Sequence, residues 1–195
     1  EMIDQGYATD LTIKCIVLRY SEETRKNFNK KVTDKKTGKK RYPSYDEGID
    51  WLVNNESRNR FIKNLAKSLK GNKIVFFRLK THGKILYALF DGDDHVYYID
   101  GDVKKEREDI RQQMERVDGA TLVASTGTTA TGISIKRLHH MISGHPSKAE
   151  IKLLQAIGRM LRQHDSKDMA FMYDIADDLS WGARENYTLR HFRKR

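Results

Sequence analysis

Short apolar runs separated by stretches of helical length constrain this chain more than any other feature. From Lys73 onward "KIVFF", "HVYYID", "ATLVAST", "HHMISG" and "DMAFMYDIA" read as strands. Between them lie "HGKILYALF", with helical spacing, and "DVKKEREDIRQQMERV", a polar-faced helix opened by Asp102. The segment that starts at Ser147 is a third helical pattern. Runs such as "KIVFF" are apolar on both faces, so they belong inside a sheet covered on two sides. Strands joined by helical crossovers lie parallel, with right-handed connections. The expected fold is α/β, a mainly parallel sheet with helices on both faces. In such sheets ligands gather at the carboxyl ends of the strands.

Upstream, "LTIKCIVL" is expected to be one more strand, with Leu11, Ile13, Cys15 and Val17 on one face and Ile16 and Leu18 on the other. The segment "RKNFNKKVTDKKTGKKRYP" has weak periodicity and reads as a loop, or a short helix running into a loop. Two helical patterns follow, "SYDEGIDWLVNN" and "ESRNRFIKNLAKSLKG". The second carries Phe61, Leu65, Ala66 and Leu69 on one stripe and stops at Gly71, a candidate C′ residue. The expected division is a lead-in and first strand over 1–20, a basic helical and loop elaboration over 21–72, and a core with a basic terminal helix over 73–195.

Charge narrows the function classes. The chain has 195 residues and a net charge of +10, concentrated in two places. Nine Lys/Arg and one acid, Asp34, lie between Arg25 and Arg41, and four more cations lie in the tail "RHFRKR". The remainder is close to neutral. A near-neutral body with two basic patches suits a polyanion, because Lys/Arg release the counterions condensed on phosphates. A solvated basic loop is the bland alternative. The single cysteine, Cys15, rules out an internal disulfide framework and suits a reducing compartment. No run approaches the length of a membrane-spanning helix, and "EMIDQGYATD" lacks a signal-peptide pattern, so a cytoplasmic protein with no membrane partner is expected. The first residue is not Met, which suggests a piece of a longer chain.

Two stretches carry chemistry. "TGTTATGISIK", Thr126 to Lys136, follows a strand end with four Thr and two Gly. Gly127 and Gly132 allow close backbone approach, and the hydroxyls of Thr126, Thr128, Thr129 and Thr131 can donate to phosphate oxygens. An ordinary turn would use the same residues. "SKAEIKLLQAIGRMLRQH", Ser147 to His164, opens with a capping box, Ser147 and Glu150. At about 100° per residue, Gln155, Arg159 and Arg162 fall within roughly 60° of one another, with Gly158 beside them. Leu154, Ile157 and Leu161 form the core face. Arginines at the edge of a core face need an anion, either an internal carboxylate or a ligand. His139, His140 and His145 lack the Cys or carboxylate that would complete a zinc set, and "DGDDHVYYIDGD" has Val96 where a calcium loop needs glycine. No metal site is expected.

Taken in order, these segments resemble the second RecA-like domain of superfamily 2 helicases. "KIVFFRLKTHGKIL" resembles motif IV, "YYIDGDVKKERED" the element after it, "LVASTGTTATGISI" motif V, and "QAIGRMLR" motif VI, Q-x-x-G-R-x-x-R. "MIDQGYATDL" resembles the segment leading out of the first motor domain. The resemblance implies that Arg159 and Arg162 reach the γ-phosphate of ATP, with Gln155 orienting nearby. It implies that Thr126, with Gly127 and Thr128, contacts the tracking strand, and that Gly101 and Arg107 belong to the same nucleic-acid surface. The Gly132 turn would link that contact to the nucleotide. Ser134 stands where many relatives carry Asp, and Gly127 replaces another common Asp. Lys35, Lys36, Lys39 and Lys40 would grip DNA. The sequence holds no Walker A lysine motif and no D-E-x-x box at a strand end; its one Asp-Glu pair, Asp46-Glu47, lies in a helical pattern. ATP and Mg²⁺ are therefore expected to be held mainly by an N-terminal RecA-like domain, with this chain supplying half a site. The implied partners are DNA, branched or single-stranded, and an RNA–DNA hybrid fits as well. A double-strand translocase of the same superfamily would share every motif. A non-catalytic nucleic-acid-binding α/β domain would need neither arginine.

Overall fold

Strands β4 (Lys73–Phe77) and β6 (Thr121–Ser125) lie inside the sheet, as their unbroken apolar runs require. Every residue of β4 is buried. The computed structural model describes residues 9–131, 134–145, 157–158 and 162–193. The other strands are β1 (Asp10–Arg19), β5 (Val96–Ile99), β7 (His140–Ser143) and β8 (Met169–Asp178). The order is β1-β8-β7-β4-β6-β5, and every pairing in this sheet is parallel. All six carboxyl ends therefore share one edge.

Each face of the sheet buries its own cluster. On one face α5 (Arg107–Arg116) seals Ile74, Phe76, Leu122 and Met172 with Met114, and Ile157 joins them. On the other, α3 (Glu56–Ser68) and α4 (Lys80–Leu89) supply Ile62, Ala66 and Leu86 against Val75, Phe77, Val123 and Ile175. Gly83 of α4 is glycine for a packing reason. A Cβ there would lie 2.5 Å from the Phe77 ring, which itself stacks on Tyr98 at 5.5 Å.

Residues 21–53 form α1 (Glu22–Phe28), a two-stranded antiparallel hairpin of β2 (Val32–Thr33) and β3 (Lys40–Arg41), and α2 (Tyr45–Val53). The expected short helix is α1, and in place of the loop expected after it the chain forms the hairpin. A buried ion pair ties the following helix to the sheet: Arg58 Nε donates to Asp177 Oδ1 at 2.8 Å, with both side chains wholly inaccessible. Short helices α6 (Thr126–Thr131) and α7 (Tyr187–Phe192) complete the described elements.

As expected, Ile13, Cys15 and Val17 of β1 share one face, which is exposed because β1 is an edge strand, while Ile16 and Leu18 pack from the other. Two further expectations change. The α3 helix closes at Leu69 in an extended conformation. Gly71 is left-handed (φ +78°) two residues later, where a Cβ would strike the His139 ring. Asp102 does not open α5, which starts after Glu106; its carboxylate meets Lys80 instead. The Thr/Gly stretch after β6 opens as a short helical turn. Of the helix expected over Ser147 to His164, Ile157 and Gly158 are described and helical, residues 162–164 are described and lie outside any helix, and the rest lies outside the described residues.

Candidate nucleotide and nucleic-acid sites

At the carboxyl edge, β6 lies between β4 and β5, so the loops leaving these strands are neighbours. Ser125 Oγ accepts from Thr128 N at 3.2 Å and pairs with Thr128 Oγ1 at 2.7 Å, which starts α6. Thr128 is therefore buried and its hydroxyl turned inward. Thr126 is half-buried and Gly127 exposed, with no atom within 4 Å of where a Cβ would stand. A ligand backbone can approach there closely.

The loop after β5 is braced from within. Asp100 Oδ1 accepts from Asp102 N at 2.8 Å and Val103 N at 3.4 Å, while Tyr98 OH donates to Oδ2 at 3.1 Å. Burial opposes the Asp100 charge, yet these donors hold its pKa below the usual carboxylate value. The Tyr98 hydroxyl is pushed up to about 12, by burial first and then by Asp100. Arg107 folds back on the same loop, donating to Val103 O and, at 3.2 Å, to Asp100 O. Gly101 sits exposed at its tip. Thr126, Gly127, Gly101 and Arg107 thus converge on one stretch of the sheet edge.

The basic hairpin stands at the other end of that edge, beside β8. Asn29 Nδ2 donates to Leu179 O at 2.7 Å, and Arg184 reaches Asn29 Oδ1 and Pro43 O, both at 3.2 Å. Asp34, the one acid of the stretch, faces inward. Its Oδ1 accepts from Lys36 N, Thr37 N and Thr37 Oγ1, and Gly38 closes the turn at φ +66°. Arg41 donates to Asp34 Oδ2 at 3.1 Å and to both Glu47 oxygens at 2.7 and 3.1 Å. Glu47 is also half of the capping box that starts α2. These bonds hold both carboxyls down to about 2: the Thr37 amide leads for Asp34, and Arg41 for Glu47. Both carboxylates are thus committed to holding the hairpin. Lys35, Lys36, Lys39 and Lys40 are exposed and form no ion pair among the described residues. Sequence reading misses the bracing roles of Asp34, Arg41 and Glu47; the Asp34-to-Gly38 spacing and the Ser44-x-x-Glu47 capping pattern are local signals for two of them.

Of the residues expected at the nucleotide, Gln155, Arg159 and Gly132 lie outside the described residues. Arg162 is exposed and makes no ion pair among the described residues. It precedes the His164–Lys167 bridge, which meets His139 at the amino edge of the sheet. The structure thus separates Arg162 from Thr126 and Gly101. Ser134 is half-buried, and its Oγ is inaccessible and lacks a hydrogen-bond partner among the described residues. An exposed cation fits a phosphorylated ligand, whereas the Ser134 hydroxyl is not open to one as placed. Among the described residues no group of three or more His, Cys, Asp or Glu could hold a metal, and no helix is long and apolar enough to cross a membrane.

Comparison with known proteins supplies the class. The family model described as "Helicase conserved C-terminal domain" matches residues 56–164. The chain is similar to the ATP-dependent DNA helicase uvsW of Enterobacteria phage T4, at 37% identity over 182 residues, 91% of this chain and 34% of the relative. It is also similar to the putative ATP-dependent helicase IRC3 of Saccharomyces cerevisiae, at 30% identity over 71% of this chain and 21% of that protein. The crystal structure of T4 UvsW superimposes with a TM-score of 0.75 and 33% identity, covering 94% of this chain and 38% of that one. The chain therefore spans about a third of the phage relative and a fifth of the yeast one.

Proposed function

Because this chain belongs to the helicase conserved C-terminal domain family, we propose that it is the second motor domain of an ATP-dependent DNA helicase acting on forked or recombining DNA. An N-terminal RecA-like domain would supply the Walker A lysine and most of the ATP and Mg²⁺ contacts. When bound between the domains, ATP with Mg²⁺ supplies the phosphoryl-transfer chemistry. Arg159 and Arg162 would hold the charge that develops on the phosphate, and Gln155 would orient beside them. The Gly132 turn would connect the nucleotide to the strand contact.

Thr126 and Gly127, with Gly101 and Arg107 beside them, would hold the phosphate backbone of one strand. Thr128 would keep that turn in shape. Domain closure and opening would alternate the grip and step the protein along the strand. The observation that carries the DNA half of the reading is the row Lys35, Lys36, Lys39 and Lys40, exposed beside the carboxyl edge while Asp34 and Glu47 are held by Arg41. Lysines of such a row displace the counterions condensed on phosphates at no cost in internal ion pairs.

The test is strand displacement by the full-length protein on a forked duplex. ATP-dependent release of one strand is expected, and Thr126→Val should slow it more than it weakens binding. Translocation without strand release would favour a double-strand translocase. Absence of DNA binding would refute both readings.

A further inference from the structure

Between α1, the basic hairpin and α2 lies a groove of about 510 Å³ that none of the proposed strand contacts uses. That volume is within the roughly 300–1,000 Å³ of small-ligand sites. Its walls are chiefly apolar: Phe28, Val32, Pro43 and Trp51. Trp51 is fixed by edge contacts, with Tyr20 at 5.5 Å and 72° and Phe28 at 5.3 Å and 67°. Neither ring lies flat on it. Val32 is 36% exposed on the hairpin arm that forms one wall.

The charges at the groove are one-sided. Glu47, its one carboxylate, is clamped by Arg41. Lys30 lines the groove and forms no ion pair among the described residues, and Lys31 stands over Tyr42 at 5.3 Å. The hairpin arm carrying Val32 leads directly to Lys35 and Lys36. Aromatic walls flanked by such cations are the chemistry that holds single strands: bases stack, and phosphates meet lysines.

We propose that this groove binds an unpaired base of single-stranded DNA against Trp51 and Phe28, with the adjoining phosphates on Lys30 and the hairpin lysines. The proposal rests on the DNA-contacting reading above and adds a place where the displaced or tracking strand is held by its base. Recognition is tolerant of sequence, because every base offers a flat face.

The test compares a twelve-nucleotide oligothymidine with an abasic strand of the same length, by fluorescence anisotropy with the full-length protein. The charge is equal, so only base contacts differ. Oligothymidine is expected to bind roughly tenfold more tightly, as for one stacked base. Trp51→Leu should abolish most of that ratio and leave affinity for the abasic strand unchanged. Val32→Ser, which leaves the aromatic packing intact, should lower the ratio by about threefold. A 5-iododeoxyuridine strand should photocrosslink to Trp51 or Phe28. Wild-type ratios in both variants, with crosslinks elsewhere, would overturn the proposal while leaving the DNA reading intact. A glutamate-rich peptide that blocks the crosslink and binds more tightly than oligothymidine would overturn it in favour of a protein partner. Failure of both strands to bind would overturn the DNA reading as well.

Discussion

Asp177→Asn should cost the domain far more than an ordinary surface change. In the native fold Asp177 accepts from Arg58 Nε at 2.8 Å and from Tyr20 OH at 2.7 Å. Both charged side chains are wholly buried, and the two terminal nitrogens of Arg58 make no hydrogen bond among the described residues. Burial and then Asp177 raise the Tyr20 pKa well above its usual value, so Tyr20 stays a donor. Removing the carboxylate charge deprives the buried guanidinium of its ion-pair partner, a loss of about 3–5 kcal/mol. For a chain of this length that lowers Tm by roughly 6–20 °C, at about 2–4 °C per kcal/mol. Arg58→Met alone should cost a similar amount. The double variant should cost less than either single change, because no uncompensated charge remains and the amide oxygen introduced at position 177 can still accept from Tyr20. Urea unfolding of all four proteins closes the cycle, with a coupling energy of at least about 2 kcal/mol expected. Additive losses, or a single change costing under about 1 kcal/mol, would refute the claim that this pair fixes α3 to β8.

Gly83→Ala should destabilise by about 1–3 kcal/mol through overpacking, since its Cβ would meet the Phe77 ring at 2.5 Å; an unchanged urea midpoint would remove that account of the glycine. His82 is held down to about 3, by burial first and then by Arg58 and His145, and His140 to about 4, chiefly by burial. Both folded values lie below the ordinary 6.5. The unfolded chain therefore takes up these protons first, and stability falls as pH drops from the ordinary value toward the folded ones. The slope should approach about 1.4 kcal/mol per pH unit for each histidine, and His82→Gln should remove its share. A flat stability profile over this range would contradict the burial argument. Replacing Lys35, Lys36, Lys39 and Lys40 with Ala should reduce the salt slope of single-strand binding by about 3, at roughly 0.7 per phosphate contact; an unchanged slope would make the row a solvated loop.

What can be read in advance follows from where the physics is local. β4, β6 and β8 stand out because both faces of each are buried, so their apolar runs survive in one dimension. The hairpin is illegible because its two-residue strands carry no alternation, and it is held by Asp34, Arg41 and Glu47 instead of by a core. The two faces of β1 are legible but their exposure is not, because an edge strand and an interior strand can share one apolar pattern; Ile13 is 53% exposed. Asp102 looks like a helix cap from composition, but the adjacent Asp100 organises that loop. The Arg58–Asp177 pair spans 119 residues and leaves no periodic trace. Of the candidate site, the motif order locates Thr126, Gly101 and Arg162, while the Trp51 groove exists only once three elements assemble.

Steady-state ATP hydrolysis by full-length Arg162→Ala, with DNA affinity measured on the same sample, tests the central claim most directly. Arg162 is exposed and makes no ion pair among the described residues, as a residue that completes a site on another domain must be. The account predicts that kcat falls at least about tenfold, a loss of about 1.4 kcal/mol or more in transition-state stabilisation, while DNA affinity stays within about twofold. Turnover at the wild-type rate would contradict the assignment of Arg162 to the phosphate.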